Sequence, residues 1–143
     1  MSQEQHFRFL EVMYVQGRIN REVYSGVSIH VEEGKAVIEH MAEERFFHAG
    51  QSLHGSVYFK LLDDAAFFAA SSLQTEYFIV TTSFQIQLIR PITSGILRAE
   101  GVVEKPGSTI ALASSRLYDS RNRLCGIGSG QFMTSAIRLS NLK

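Results

Sequence analysis

The segment Leu53–Ser71 reads LHGSVYFKLLDDAAFFAAS and combines an almost continuous apolar run with two adjacent acids, Asp63 and Asp64. No glycine or proline interrupts the run after Ser56, and alanine, leucine and phenylalanine fall on every side of a helix drawn through it. We therefore predict a helix from Ser56 to about Ser72 that is buried over most of its surface. A carboxylate within such a helix is costly unless it is paired or hydrogen-bonded, so both acids need a physical reason.

The two acids lie on different faces of the predicted helix, because residues three or four apart share a face. Asp64 faces Lys60, and a surface or rim ion pair accounts for it without any function. Asp63 lies between Phe59 and Phe67, where poor solvation would raise its pKa and make it a base or nucleophile near neutral pH. Asp63 is therefore the preferred catalytic candidate, with Asp64, or a structural role for both acids, as the alternatives.

One further helix and six strands are predicted around this segment. Apolar positions from Phe9 to Tyr14 follow a helical period, which predicts a helix over about 5–16 that ends at Gly17. Alternating patterns predict strands at 27–31, 36–41, 78–89, 96–104, 109–118 and 124–134, with a loop over 42–53.

Three glycines occupy alternate positions of the last predicted strand, Gly126, Gly128 and Gly130. They leave one face of that strand without side chains, so another group is expected to pack closely there. The simplest layered arrangement is an α+β fold in which one antiparallel sheet wraps the long helix, within a single domain spanning 1–143. The sheet covers one flank of the helix, and we expect a second copy of the chain to cover the other.

The composition limits the possible partners and compartments. The 143 residues include 14 acidic and 14 basic side chains, so the formal net charge is zero. The lack of a basic excess argues against a nucleic-acid partner, and neutrality favours self-association. Cys125 is the single cysteine, which excludes an internal disulfide and fits a reducing compartment. With no membrane-length apolar run and no signal-peptide pattern, we expect a cytoplasmic protein.

Two short motifs carry a family resemblance: His54-Gly55 followed by Asp63 in the helix, and Arg90-Pro91 closing the next strand. With these motifs, and with the order of elements from about Val27 to Met133, the sequence resembles the hotdog-fold acyl-CoA thioesterases. It is most similar to the PaaI-like branch of the 4-hydroxybenzoyl-CoA thioesterase superfamily. The resemblance implies a hotdog fold, hydrolysis of an aromatic or fatty acyl-CoA, Asp63 as the catalytic acid, and no metal or cofactor besides the coenzyme A of the substrate.

Gly55 lies just ahead of the predicted helix, where backbone N–H groups are unpaired and the helix dipole is positive. A thioester carbonyl placed there would be polarised, and a glycine leaves room for its approach. Asp63 follows about 12 Å further along the same helix, so one helix cannot present both groups to one carbonyl. The resemblance implies that the glycine of one subunit faces the acid of another, in a homodimer or a dimer of dimers.

Further candidates come from the resemblance and from local chemistry. The resemblance implies that Thr81 helps to hold the attacking water, and that His48 occupies the position of an asparagine in the family. Ser56 replaces the second glycine of the motif, and both His54 and Ser56 are candidates for substrate contacts. An ordinary structural role is the alternative for each of these residues.

The segment Lys105-Pro106-Gly107-Ser108 is predicted to form a turn with one cation and free backbone N–H groups. Lys105, Gly107 and Ser108 could therefore contact the phosphates of coenzyme A, with a plain hairpin turn as the alternative. The spacing of the histidines and acids matches no common zinc pattern, so no metal site is expected.

Two functions besides hydrolysis remain open on the same scaffold. One is a non-catalytic acyl-CoA binder or sensor, which the replacements at Ser56 and His48 favour. The other is a hydratase or dehydratase, although those chemistries usually use a histidine and an acid in a different local pattern. The phenylalanines at 46–47, 59 and 67–68 could line an acyl tunnel or belong to the core.

Overall fold

A computed structural model describes residues 1–142 of the chain and contains three helices and six strands. The helices are α1 (Gln3–Gln16), α2 (Arg18–Glu22) and α3 (Gly55–Ser71). The strands are β1 (Ser28–Glu32), β2 (Lys35–Met41), β3 (Tyr77–Leu88), β4 (Ile96–Lys105), β5 (Ile110–Tyr118) and β6 (Leu124–Arg138). Short 3₁₀ turns cover Glu44–Phe46 and Leu139–Leu142. The predicted order of elements is confirmed, but α2 and the first 3₁₀ turn were not predicted and β6 runs further than expected.

The strands form one antiparallel sheet in the order β1-β2-β4-β5-β6-β3, and α3 contacts all six of them. This is the predicted α+β arrangement of a sheet around a central helix. Two contacts hold α3 close to the sheet. A Cβ atom at Gly101 would collide with the carbonyl of Ala65, so only glycine permits this approach. The Ser115 hydroxyl donates a hydrogen bond to the Leu62 carbonyl at 2.7 Å.

The bare face of β6 is filled by an aromatic ring from the neighbouring strand. A Cβ atom at Gly128 would lie 2.7 Å from the ring of Phe84, and one at Gly130 would overlap the same side chain. The close packing predicted from these glycines is therefore confirmed. The Phe84 ring also meets Phe59 of α3 edge-on, with 5.5 Å between the ring centroids.

Helix α1 covers a flank of α3 that we expected a second copy of the chain to cover. The Tyr14 ring packs edge-on against Phe68 at 4.9 Å between centroids, and a ring nitrogen of His6 lies 2.9 Å from the Ser71 carbonyl oxygen. The apolar positions of α1 thus face the core, and the prediction for this flank was wrong. Phe59, on another side of α3, remains 41% exposed.

Strand β3 lies at one edge of the sheet and carries a bulge. Thr81 pairs with Phe132 of β6 and Ser83 pairs with Gln131, so Thr82 is an extra residue without a partner in the register. The bulge leaves Thr81 and Phe84 facing α3, although they are separated by an odd number of positions. The outer edge of β3 has no strand partner within residues 1–142.

Cys125 is fully buried in β6. None of the helices within residues 1–142 has the length and apolar character needed to cross a bilayer.

Candidate active site

Asp63 and Thr81 meet in the folded chain although they are distant in sequence. Asp63 lies on the side of α3 that faces β3, and the Thr81 hydroxyl donates a hydrogen bond to Asp63 Oδ1 at 2.9 Å. The alignment of β3 against α3 positions this pair. Two residues that the sequence singled out for one reaction are therefore in direct contact.

The environment of Asp63 favours its neutral form. Burial raises the pKa of Asp63 to about 6, and the adjacent charge of Asp64 acts in the same direction. The hydrogen bond from Thr81 and the charge of Lys60 partly oppose the rise in this pKa. Such a carboxylate gains and loses a proton close to neutral pH, as a general base must.

Asp64 belongs to a largely buried cluster rather than to the surface. Lys60 Nζ lies 2.6 Å from Asp64 Oδ2, and the Tyr14 hydroxyl donates to the same oxygen at 2.7 Å. The Lys60 and Asp64 side chains are only 12% and 19% exposed, and the ammonium lies 4.7 Å from the centroid of the Tyr24 ring. Burial and the Asp64 carboxylate hold the pKa of Tyr14 far above its usual range, so its hydroxyl remains a donor.

The ion pair predicted between Lys60 and Asp64 is therefore present, and its low exposure places it at the rim rather than on the open surface. Asp64 joins α3 to α1 through Tyr14, and its oxygen is already occupied by two donors. This supports a structural role for Asp64 and leaves Asp63 as the acid available for chemistry.

The N-terminus of α3 is capped in a way that leaves one backbone N–H unpaired. His54 is the N-cap, and its Nδ1 accepts a hydrogen bond from the Ser56 N–H at 3.0 Å. Because Nδ1 is an acceptor, the proton of a neutral His54 lies on Nε2, at an exposed position. Gly55 is the first helical residue, and its N–H has no hydrogen-bond partner within residues 1–142. The amide predicted to polarise a carbonyl is thus available.

Ser56 is turned back towards its own cap. Its hydroxyl lies 2.8 Å from His54 Nδ1, so it reinforces the geometry of the helix start. The structure gives Ser56 a capping role in addition to the substrate contact considered from the sequence.

His48 is directed into its own loop. Its Nδ1 accepts a hydrogen bond from the Gly50 N–H at 2.9 Å, and its Nε2 lies 3.0 Å from the Ser52 hydroxyl. Gln51, at φ 67°, lets the loop reverse around the ring. His48 and Gly55 nevertheless line the same groove of about 230 Å³, together with Tyr58 and Leu88. His48, which occupies the position of the family asparagine, therefore lies in the same groove as the Gly55 amide. Both of its ring nitrogens are already in contact with polar groups of its own loop.

Gly55 and Asp63 do not converge within one chain. Helix α3 and strand β3 run in opposite directions, so that Gly55 lies against Leu88 while Asp63 lies against Thr81. The eight intervening helical steps correspond to about 12 Å. One chain therefore carries an amide half-site and a carboxylate half-site at separate places along the same helix–strand groove.

The candidate nucleotide-binding residues lie at the other end of α3. Lys105 is the last residue of β4 rather than part of the turn, which is a correction to the predicted boundary. Gly107 and Ser108 line a cavity of about 410 Å³ together with Gln74, which follows α3, and Ile79 of β3. A Cβ atom at Gly107 would collide with the Ile110 carbonyl, which explains the glycine.

The phenylalanines considered for an acyl tunnel divide into two groups. Phe68 is buried, and Phe46, Phe47 and Phe67 pack against the core. Phe59 alone in this set is exposed, and it lies one helical turn before Asp63. Within residues 1–142, no three histidines, cysteines or acids cluster as metal ligands would.

A family model described as the thioesterase superfamily matches residues 50–126, which is more than half of the chain. The chain belongs to this superfamily. The matched region runs from the loop before α3 into β6 and therefore contains Gly55, Asp63 and Thr81. The family resemblance stated from the motifs is confirmed at this level.

Related proteins and structures agree with this assignment. A Saccharolobus solfataricus protein named "Putative esterase SSO2140" is 29% identical over 96 residues, covering 67% of this chain and 69% of that protein. The Escherichia coli PaaI protein has a TM-score of 0.83 at 19% identity, over 95% of this chain and 97% of its own. Thioesterase HI1161 from Haemophilus influenzae has a TM-score of 0.77 at 18% identity, over 90% of each chain. These similar structures confirm the predicted hotdog fold, and the family membership supports a hydrolase activity.

Proposed function

We propose that the protein hydrolyses acyl-CoA thioesters at a site shared by two copies of the chain. The observation that carries the proposal is the partly buried Asp63 carboxylate, which accepts a hydrogen bond from Thr81 and has a pKa raised to about 6. The free amide of Gly55 at the start of a helix supplies the second group that the reaction needs.

In the proposed reaction the Asp63 carboxylate removes a proton from water as the water oxygen attacks the thioester carbonyl. The carbonyl oxygen becomes an oxyanion, which the Gly55 N–H stabilises by a hydrogen bond. Collapse of this intermediate re-forms the C=O bond and breaks the C–S bond, and the thiolate takes the proton from Asp63. Direct attack by Asp63, followed by hydrolysis of an anhydride, uses the same groups and remains the alternative.

The geometry of β3 supports a shared site. Its exposed edge could pair with β3 of a second copy about a two-fold axis at Gln85, which would set Phe84 opposite Ile86. Because the bulge adds one residue at Thr82, the same register would set Thr81 opposite Leu88.

Residues opposite each other in an antiparallel pair face the same side of the sheet, and all of these face α3. Strands pair at about 4.8 Å. Since Leu88 touches Gly55 and Thr81 touches Asp63, this register would bring the amide of one copy to the carboxylate of the other.

The first test is a thiol-release assay over a panel of aromatic and fatty acyl-CoAs, run beside Asp63→Asn. This variant keeps the size of the side chain and an oxygen that can accept from Thr81, but it cannot act as a base. We expect kcat to fall by about 10²–10⁴-fold, the usual contribution of a general base. Asp64→Asn is the matched control and should retain most of the activity. Equal losses in the two variants would contradict the assignment.

The second test addresses the amide of Gly55. Gly55→Pro removes the N–H and adds a ring, whose Cβ would lie 3.2 Å from Leu88 Cδ1, and proline is well accepted at the first position of a helix. The extended backbone of His54, with φ −64° and ψ 142°, is compatible with a following proline. We expect kcat to fall by about 10²–10³-fold, whereas Gly55→Ala, which keeps the N–H, should lose far less.

Mixing the two inactive variants tests whether the site is shared. A hybrid dimer of Gly55→Pro and Asp63→Asn would contain one site with both lesions and one site with neither. Subunit exchange should therefore restore part of the activity, and no recovery in confirmed hybrids would count against a shared site.

A non-catalytic acyl-CoA binder is the second candidate, and the state of His48 favours it. Both ring nitrogens are engaged within the loop, so this side chain does not offer a free polar group at the position of the family asparagine. Tight binding of acyl-CoA without release of thiol over the panel would decide for this function.

A further inference from the structure

The two outer edges of the sheet differ in how they are covered. Strands β1 and β3 are the first and last in the sheet order, so each has an edge that pairs with no strand within residues 1–142. Such an edge presents backbone N–H and C=O groups that can pair with another chain. In an antiparallel strand the outward groups belong to alternate residues. A hydrogen bond to a side chain of α1 identifies Val31 as one of these residues in β1.

Helix α1 supplies a partner for each outward group of Val31. The Val31 N–H donates a hydrogen bond to Glu11 Oε2 at 2.8 Å, and Arg8 Nη2 donates one to the Val31 carbonyl oxygen at 2.9 Å. The same Arg8 nitrogen also donates to Glu11 Oε2 at 2.9 Å. Together the two side chains present one acceptor and one donor to β1, as a residue of a neighbouring strand would.

The packing of α1 holds these two side chains against the strand. Arg8 and Glu11 are three positions apart and therefore share one face of the helix. Leu10 and Tyr14 are buried and anchor the adjacent face on the core. The Glu11 side chain is only 18% exposed. Because a poorly hydrated carboxylate needs hydrogen-bond donors, the contact with Val31 is more than an ordinary surface ion pair.

We propose that Arg8 and Glu11 form an edge cap that takes the place of a strand beside β1 and restricts the addition of a second copy of the chain to the β3 edge. The inference uses the β3 pairing of the proposed shared site but not its chemistry. A copy with two open edges could pair through both, and two different two-fold contacts on one subunit build an assembly that continues beyond the dimer. With β1 capped, pairing of sheet edges stops after one β3 contact.

The contact that the edge cap excludes is the pairing of β1 with β1 of another copy. The outward groups of Ile29, two positions before Val31, form no hydrogen bond with a side chain within residues 1–142. About a two-fold axis at His30, Ile29 of one copy would lie opposite Val31 of the other, and the two residues would exchange both backbone hydrogen bonds. Occupation of the Val31 groups by α1 removes half of the donors and acceptors that this pairing needs.

The first test compares two amides of β1 in the wild-type protein. The Val31 amide hydrogen should exchange with solvent about tenfold or more slowly than that of Ile29, after correction for intrinsic rates, because only Val31 donates to a side chain. NMR provides the measurement. Equal exchange would overturn the edge cap, and the result does not depend on whether any variant folds.

The second test removes the edge cap. Arg8→Ala/Glu11→Ala deletes both polar groups but preserves the tendency of α1 to be helical, because alanine is the best helix former. Circular dichroism checks the fold, and sedimentation velocity measures particle size over a range of protein concentrations. We expect species larger than those of the wild type, with a share that grows with concentration. A folded double variant that keeps the wild-type size throughout would overturn the inference.

Arg18→Ala/Glu22→Ala is the matched control. Arg18 Nε lies 3.1 Å from Glu22 Oε1, so this exposed pair on α2 is also an arginine–glutamate ion pair. The control removes the same two charges, but the hydrogen bond within the pair joins two residues of one helix and involves no strand. It should keep the wild-type size. Equal growth of the control would assign the effect to lost surface charge and would contradict the edge cap.

A cysteine at His30 locates the new contact. His30 is exposed, and in the excluded pairing its Cα would lie about 4.5 Å from that of its own copy, within reach of a disulfide. His30→Cys should therefore cross-link under mild oxidation in the Arg8→Ala/Glu11→Ala chain and not in the otherwise wild-type chain. Cross-linking in both chains, or in neither, would contradict the inference. None of these measurements uses thioester hydrolysis, so a failure of the proposed function would leave them unchanged.

Discussion

At the scale of single residues, the separation of Asp63 from Asp64 is the main feature. Adjacent in sequence, the two acids differ in every contact: Asp64 accepts from Lys60 and Tyr14, whereas Asp63 accepts from Thr81. The Lys60 ammonium balances the charge of the structural acid, while burial raises the pKa of the other. One helix thus supplies a stabilising carboxylate and the candidate general base at neighbouring positions.

The raised pKa of Asp63 gives the proposed reaction a defined pH dependence. The base must be ionised, so kcat/KM should increase as pH rises through about 6 and level off above that value. The Thr81 hydrogen bond lowers this pKa, so Thr81→Val should move the increase to higher pH. Thr81→Ser, which keeps the hydroxyl, is the control. A pH profile that is identical in wild type and Thr81→Val would contradict the role of Thr81.

Two members of the candidate site were indicated by the sequence. The helical spacing singled out Asp63, the family resemblance implied Thr81, and the structure shows a hydrogen bond between them. The contact of Asp64 with Tyr14 joins residues 50 positions apart and leaves no local pattern. The orientation of His48 could not be predicted from the sequence either, because it depends on the positive φ of Gln51.

At the scale of elements, α1 packs on α3 through two contacts of one tyrosine, an aromatic contact of its ring and a hydrogen bond of its hydroxyl. The Tyr14 ring packs on Phe68 while its hydroxyl reaches Asp64. Alternating and helical periods predicted α1, α3 and the strands, because each period reflects one buried face. They could not predict which helix flank α1 covers, since that choice depends on tertiary contacts.

The hydroxyl of Tyr14 should make a measurable contribution to stability. Tyr14→Phe removes one of the two donors to a partly buried carboxylate while keeping the ring against Phe68. We expect the free energy of unfolding to fall by about 1–3 kcal/mol, as for other hydrogen bonds to charged groups. Urea denaturation provides the measurement, with Tyr24→Phe as the control, since no hydrogen bond of the Tyr24 hydroxyl is found within residues 1–142. Equal losses of unfolding free energy in Tyr14→Phe and Tyr24→Phe would contradict a stabilising role for the Tyr14–Asp64 hydrogen bond.

At the scale of the whole molecule, the open edge of β3 and the separated half-sites point to the same assembly. Within residues 1–142, the outer edge of β3 is 12 residues long and has no strand partner. Its unpaired backbone N–H and C=O groups can pair with another strand. Neither half-site of one chain is sufficient for the proposed chemistry. Pairing of β3 with its copy would satisfy the edge and complete two sites at once.

The proposed register can be tested without measuring activity. Gln85 is exposed and would lie opposite its own copy at the two-fold axis, so Gln85→Cys should form an intermolecular disulfide under mild oxidation. Gln87→Cys is the control. Its own copy would be about 14 Å away along the strand at 3.4 Å per residue, so it should not cross-link. Non-reducing electrophoresis distinguishes the two outcomes, and efficient cross-linking through position 87 instead of 85 would assign a different register.

The unpaired Thr82 sets how this strand tolerates length changes. A substitution there alters one exposed side chain, and we expect the fold to absorb it. Removing the residue would leave Thr81 and Phe84 two positions apart in a regular strand, so that both would still face α3. For this protein, loss of the Thr82 codon should therefore be tolerated far better than loss of the Gln85 codon, which would turn Ile86 and Leu88 to the opposite face of the sheet.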